Sequence, residues 1–285
     1  MPITAHRPAE HIAHRASQGL RIGVFDSGLG GLSVLRALQA HLPAATLLYV
    51  ADSGHAPYGE RDDAFIQTRA EHITDFLVRQ GADAIVVACN TATAAAIHRL
   101  RLRCGDLPVI GVEPGVKPAV AHSVNKRVGV LATPGTLSSL KFRHLVEQHA
   151  QGALLTLQPC PGLAREIEVG VLDSPALREM VARFCAPLKS AQVDTVVLGC
   201  THYPFVAPLI HDELGPAIHI VDTAQAVAQH TQRVTSHMAN AGSPPPETAH
   251  TSHGKVHLWS SADPQHLQRV AKAWLGLEAE ASPLP

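Results

Sequence analysis

Apolar residues along this chain fall into short runs bounded by small or polar residues, and each run is followed by a longer amphipathic stretch. Runs at 22–25, 47–50, 84–87, 109–112, 128–131, 154–157, 195–198, 218–221 and 256–259 are rich in Val, Ile and Leu. Continuous rather than alternating apolarity predicts strands buried on both faces. Between them, helices are predicted over 33–41, 65–77, 91–102, 138–149, 175–190, 208–214, 224–236 and 264–275. Strands alternating with helices predict an α/β protein built on parallel sheets.

The pattern is written twice. Residues 194–202 read Asp-Thr-Val-Val-Leu-Gly-Cys-Thr-His, and residues 83–91 read Asp-Ala-Ile-Val-Val-Ala-Cys-Asn-Thr. In both, an acid precedes a short apolar run, a small residue and a cysteine, so Cys89 and Cys200 fall where a parallel strand hands over to a helix. A second pair supports the duplication at nearly the same offset: residues 21–31 begin Arg-Ile-Gly-Val-Phe, and residues 127–136 begin Arg-Val-Gly-Val-Leu. Glu113-Pro114-Gly115 interrupts the pattern and begins the second half. The expected fold is therefore two similar parallel-sheet α/β domains, Rossmann-like and related by a pseudo-twofold, with the active site in the cleft between them.

Composition narrows the function. The chain has 285 residues, 46% of them hydrophobic, enough for one large or two medium domains with full cores. Lys and Arg number 23 against 24 Asp and Glu, so there is no basic field for nucleic acid. No apolar run is long enough to span a bilayer and the N-terminus has no signal-peptide core, which together predict a cytoplasmic protein. The five cysteines, 89, 104, 160, 185 and 200, form no Cys-x-x-Cys pair and are expected as free thiols. His6, His11 and His14 lack partners at ligand spacing, so no metal site is expected. Residues 1–20 are expected to be a flexible extension, 241–253, with three consecutive prolines, a mobile loop, and 277–285 a tail.

Candidate chemistry clusters at the strand ends. The glycines of 26–31 let a backbone approach a ligand closely, and the helix start that follows favours a phosphate or carboxylate. A dinucleotide fingerprint fits poorly, because Ser33 stands where its third glycine or alanine belongs and Asp26 would face a pyrophosphate. The polar loop 52–59 reads either as ligand-contacting or as an exposed turn. Glu166 and Glu168 lie among apolar residues, so at least one carboxylate points inward.

If the halves face each other, Cys89 and Cys200 approach one cleft from opposite sides. One thiolate could then remove a proton from a bound carbon acid while the other thiol returns one to the opposite face, inverting that carbon. A free thiol has a pKa of about 8.5, and a helix N-terminus is expected to lower it. Asp26 is placed to serve Cys89, and His202, with a carboxylate behind it, to serve Cys200. Ser27, Asn90, Thr91, Thr133, Thr136 and Thr201, with backbone N–H groups, supply donors for substrate carboxylates. Cys104, Cys160 and Cys185 have no repeat partner and read as inert buried thiols.

Four motifs then carry a resemblance: Phe25-Asp26-Ser27-Gly28-Leu29-Gly30-Gly31, Pro57-Tyr58-Gly59, Ala88-Cys89-Asn90-Thr91 and Gly199-Cys200-Thr201-His202-Tyr203-Pro204. In this order, over residues 21–276, the chain resembles the glutamate racemases of the cofactor-independent aspartate/glutamate racemase superfamily. The resemblance implies interconversion of L- and D-glutamate for peptidoglycan, without pyridoxal phosphate, metal or nucleotide. It implies that Cys89 takes the proton of D-glutamate and Cys200 that of L-glutamate. Asp26, Ser27, Pro57, Tyr58, Gly59, Asn90, Thr91, Thr201 and His202 are implied to surround the substrate. The family's supporting glutamate follows a Cys-Pro motif by seven residues, which from Pro161 selects Glu168 over Glu166; Gly162 and Arg165 depart from the family's pattern there. Discontinuous domains are also implied, 21–113 with 222–276 as one and 114–221 as the other, and so is a homodimer. The N-terminal extension resembles those of members whose activity depends on a cell-wall precursor. The nearest alternatives are a two-cysteine racemase of aspartate or a hydantoin, and a non-enzymatic small-ligand module using the 26–31 turn.

Overall fold

The computed structural model describes residues 19–239 and 254–285; the expectations for residues 1–18 and for the 241–253 loop lie outside the described residues. Ten strands are described: β1 (Arg21–Asp26), β2 (Thr46–Ala51), β3 (Ala84–Val87), β4 (Val109–Gly111), β5 (Arg127–Ala132), β6 (Leu154–Pro159), β7 (Thr195–Gly199), β8 (His219–Val221), β9 (Val256–Ser260) and β10 (Ala281–Pro283). They form two wholly parallel sheets, ordered β10-β9-β2-β1-β3-β4 and β6-β5-β7-β8. The repeat seen in the sequence is thus a repeat of topology. In each half the first strand is central, the second lies to one side, and the third and fourth lie to the other.

The central strands of both sheets are covered on both faces, which is why they are apolar throughout, whereas the edge strand β6 leaves Leu154 and Leu157 exposed. Successive residues of β1 point to opposite sides: Val24 packs with Leu35 and Leu38, while Phe25 packs with Ile73, Leu77 and Ile97. In the second half, Val196 and Leu198 of β7 pack with Leu177, Val181 and Leu188, and Val197 packs with Val116 and Phe142. The acids that open the duplicated motif anchor the opposite ends of the sheets from the cysteines. Asp83 accepts the Arg21 N–H at 2.9 Å, and Asp194 accepts the Ser123 hydroxyl and the Val124 and Asn125 N–H groups at 2.6 to 2.8 Å.

Several elements differ from the sequence reading, the helix Leu163–Glu168 among them. A helix at Val116–His122 follows the Glu113-Pro114-Gly115 break; seven residues containing Pro118 are too few to show a helical period. Residues 133–136, between the expected strand 128–131 and helix 138–149, enter the short helix Pro134–Ser138, because Thr133 caps it and Ser139 separately caps Leu140–His149. The 277–285 segment, expected as a tail, carries β10, which adds to the free edge of β9. Its register comes from backbone pairing, with the Leu284 N–H donating to Ser260 C=O at 2.7 Å, and such pairing leaves no hydrophobic period to read.

Leu277, Ala279 and Ala281 pack against one core of the first half and Leu284 against the other. Deleting residues 278–285 is therefore expected to lower the unfolding free energy by about 2 kcal/mol in urea titration. An unchanged midpoint would show that the segment adds nothing to the fold.

Candidate active site

The site forms where the strand order reverses in each sheet, the position at which open parallel sheets leave a crevice at their carboxyl ends. Asp26 ends β1 and Cys89 follows β3 in one half, while Cys200 follows β7 in the other. Both thiols are nearly enclosed, at 5% and 7% exposure.

Cys89 caps the helix Asn90–Cys104, accepting the Ala92 N–H at 3.4 Å. Its thiol lies 3.7 Å from the Ser27 hydroxyl, which in turn donates to Asp26 Oδ1 at 3.1 Å. Asp26 Oδ2 accepts the Thr201 hydroxyl of the opposite half at 3.1 Å, so one carboxyl joins both sides of the cleft. Burial raises the Asp26 pKa, and the Glu168 charge adds to the rise against the pull of His202. Burial also pushes the Cys89 thiol well above its ordinary range, and the Asp26 charge pushes the same way. This corrects the expectation of a lowered thiol: the Ala92 N–H does favour the thiolate, but desolvation is the larger effect.

Cys200 has a different partner. Its sulfur lies 3.5 Å from His202 Nδ1, and His202 Nε2 lies 2.5 Å from Glu168 Oε1. Glu168 Oε1 also accepts the Leu29 N–H at 2.5 Å, and Oε2 accepts the Ser53 hydroxyl at 3.4 Å. Burial disfavours an imidazolium at His202, but its bonds and charge interactions with Cys200 and Glu168 outweigh that cost and raise its pKa well above the usual value. Nε2 thus faces Glu168, with the Gly30 N–H also 3.2 Å from it, and Nδ1 is the ring nitrogen that faces Cys200. Glu166 turns away to the Ser174 hydroxyl, 3.4 Å from it, so Glu168 takes the inward position.

The glycine turn serves this arrangement. A Cβ on Gly28 would lie 2.2 Å from Glu168 Oε1, and one on Gly30 would lie 2.3 Å from His202 Nδ1. The space expected for a ligand is filled by side chains of the opposite half. Ser33 reinforces the junction, its hydroxyl lying 2.8 Å from Gly30 C=O and 3.0 Å from Thr201 C=O.

The binding candidates divide. Asn90 Nδ2 is buried without a partner, which leaves a donor free for a ligand. The hydroxyls of Thr91, Thr133 and Thr136 meet across the halves at 3.0 to 3.3 Å, and Thr133 is also the cap of its helix. The Tyr58 side chain is engaged elsewhere: its hydroxyl donates to Asp52 at 2.5 Å and its carbonyl accepts the Arg61 N–H at 3.0 Å, while Gly59 packs against Thr133 of the opposite half. Asp52 is itself fully buried and takes Arg69 Nε and Nη2 at 2.9 and 2.7 Å. Burial opposes its charge, but Arg69 and Tyr58 hold its carboxyl below the ordinary range. Pro57 is buried behind a cis Ala56–Pro57 bond, and beyond Gly59 the exposed Glu60 meets Arg165 at 3.0 Å across the cleft mouth. Among the described residues, no group of three or more His, Cys, Asp or Glu is placed to hold a metal ion. Sequence reasoning missed the Leu29 N–H and Arg69 and gave Ser53 only as part of the 52–59 loop; an N–H carries no signal, and Arg69 stands within an ordinary amphipathic helix.

Two thiols in one closed site, each with its own proton partner, are equipped to remove and return a proton at a carbon acid. Comparison with known proteins agrees with that chemistry. A model described as Asp/Glu/hydantoin racemase matches residues 29–231. The glutamate racemase of Ectopseudomonas mendocina is 48% identical over 91% of this chain and 96% of that protein. The crystal structure of glutamate racemase isoform RacE1 from Bacillus anthracis superposes with TM-score 0.81 at 29% identity, covering 93% of this chain and 97% of that one. Escherichia coli glutamate racemase, crystallised with L-glutamate and the activator UDP-MurNAc-ala, gives TM-score 0.79 at 29% identity, covering 93% and 98%.

The raised Cys89 pKa has a direct readout. The ultraviolet thiolate absorbance lost in Cys89→Ser relative to the intact protein is expected to grow in only above the ordinary thiol range of about 8.5. A Cys89 thiolate already formed at neutral pH in the ligand-free protein would contradict the burial argument.

Proposed function

The chain belongs to the Asp/Glu/hydantoin racemase family, and from that premise we propose that it interconverts L- and D-glutamate by proton transfer between Cys89 and Cys200. The observation that carries the reading is the separate proton partner of each thiol: Ser27 and Asp26 for Cys89, His202 and Glu168 for Cys200.

The raised Cys89 sets the starting point: it holds its proton. With substrate bound, the Cys200 proton passes to His202 Nδ1, 3.5 Å away, forming a thiolate and imidazolium that Glu168 stabilises. L-glutamate then loses its α-proton to the Cys200 thiolate on one face, and Cys89 delivers its proton to the other. The C–H bond broken is replaced by the C–H bond formed, and the enzyme ends with Cys200 protonated and Cys89 as thiolate. For D-glutamate, Cys89 first gives its proton through Ser27 to the Asp26 carboxylate and His202 returns one to Cys200, after which the Cys89 thiolate takes the α-proton and Cys200 delivers its own to the other face. Both proton carriers are side chains, so the sequence of steps calls on no cofactor. Asn90, Thr91 and the N–H groups at the start of Asn90–Cys104 hold the substrate carboxylate and offset the charge of the carbanion. Thr133, Thr136 and Thr201 complete the donor set. Because both thiols are enclosed, the halves part at the Glu60–Arg165 pair to admit substrate.

In this reading residues 21–113 with 222–276 form one domain and 114–221 the other, in keeping with the membership of the two sheets; β10 extends the first through 277–285. No described helix is long and apolar enough to cross a membrane. The product supplies D-glutamate for peptidoglycan from a cytoplasmic homodimer. The activator bound to the Escherichia coli relative motivates a matching role for a cell-wall precursor here, acting with residues 1–20.

Incubation with L-glutamate in deuterated water tests the reading. The intact protein is expected to abolish optical rotation and place deuterium at the α carbon with no added cofactor, and aspartate run in parallel is expected to react far more slowly. Cys89→Ser and Cys200→Ser should each lower racemisation by about 10²- to 10⁴-fold. Full activity in either variant would contradict the two-base assignment.

A further inference from the structure

One buried hydroxyl next to the site has no part in the steps above. Tyr49 stands in β2 at 0% exposure, and its hydroxyl donates to Gly28 C=O at 2.6 Å. That carbonyl belongs to the same peptide unit as the Leu29 N–H, which donates to Glu168 Oε1. The peptide is thus gripped at both ends, by a phenol of the first half at its oxygen and by a carboxylate of the second half at its nitrogen.

We propose that Tyr49 is a positioning residue for the reaction: it holds the Gly28–Leu29 peptide so that Glu168, and through it His202, stays aligned on Cys200. The inference rests on the two-thiol reading above. Its physical basis is the freedom of Gly28, which has no Cβ because Glu168 occupies that space, so local sterics do not fix the peptide plane. An external donor must do so. A hydrogen bond to the carbonyl also polarises the peptide and makes its N–H a better donor to the carboxylate, as in other linked hydrogen-bond chains. Burial, with the charges of Asp26, Glu168 and Cys89, raises the Tyr49 phenol well above its ordinary range, so it stays a donor throughout working pH. The line runs from Tyr49 through peptide 28–29, Glu168 and His202 to Cys200. It meets the Cys200 side of the cleft and leaves the Ser27 contact of Cys89 untouched.

That one-sidedness supplies the test. Two enantiomers have equal free energy in water, so kcat/KM must be the same in both directions for any variant, and damage to one thiol appears instead in the isotope effects. Tyr49→Phe is expected to lower kcat/KM by about 2- to 10-fold, the loss of one ordinary hydrogen bond. The α-deuterium isotope effect on kcat/KM should rise for L-glutamate, whose proton goes to Cys200, and fall for D-glutamate, whose proton goes to Cys89. Isotope effects do not depend on the fraction of enzyme that is folded, so a partly unfolded preparation gives the same answer. In a Glu168→Gln background, Tyr49→Phe should bring little further loss. Isotope effects that stay fixed or move together, or losses that multiply fully in the double variant, would overturn the proposal. If the intact enzyme exchanges no α-proton, the two-thiol reading itself fails; if it does and Tyr49→Phe leaves both isotope effects unmoved, only Tyr49 is misassigned.

Discussion

The structure turns on one insertion: the Glu168 carboxylate and the His202 ring of the second half occupy the turn between β1 and the first helix, where Gly28 and Gly30 have no side chains. Any larger residue at either position would push the halves apart or twist His202 off Cys200. The same contact puts Asp26, Glu168, His202 and both thiols into a nearly dry volume, where isolated charges are costly. The site answers by shifting their proton affinities apart. Burial raises those of Asp26 and Cys89, while the contacts of His202 with Cys200 and Glu168 raise that of its ring. One proton per thiol, moved between neighbours, is all the reaction requires.

Duplication explains the geometry and divergence explains the chemistry. The shared strand order places Cys89 and Cys200 just beyond equivalent strands. Past that point the halves differ. Cys89 leads at once into the fifteen-residue helix Asn90–Cys104 and uses its first turn, whereas Cys200 is followed by the short turn Tyr203–Val206 and takes its partner from His202. Equivalent placement sets the two thiols just beyond matching strands, and the groups beside them differ: Ser27 for Cys89, His202 for Cys200.

Much of this was legible in the sequence because it is local. Apolar runs gave the strands and the repeated acid-to-cysteine motif paired the halves; the residues alone left Glu166 and Glu168 open, and only the family resemblance, counted from Pro161, selected Glu168. What escaped was tertiary. Nothing in Gly28 or Gly30 says whether a ligand or a side chain from the other half will fill the space. Tyr49 reads as one more apolar strand residue until its hydroxyl meets the turn beside it. The direction of the Cys89 shift depends on how completely the second half covers it, so a rule about helix termini pointed the wrong way. β10 and the helix Val116–His122 were too short for periodicity to register.

The most direct test of the insertion is Gly28→Ala, assayed for racemisation and for thermal unfolding in the same preparation. The account predicts a folded protein whose kcat/KM falls by about 10²-fold, since a misplacement of about 1 Å at a reacting group has that effect. A Gly28→Ala enzyme with full activity would show that Glu168 has no need of the turn, and the account would be wrong at its centre.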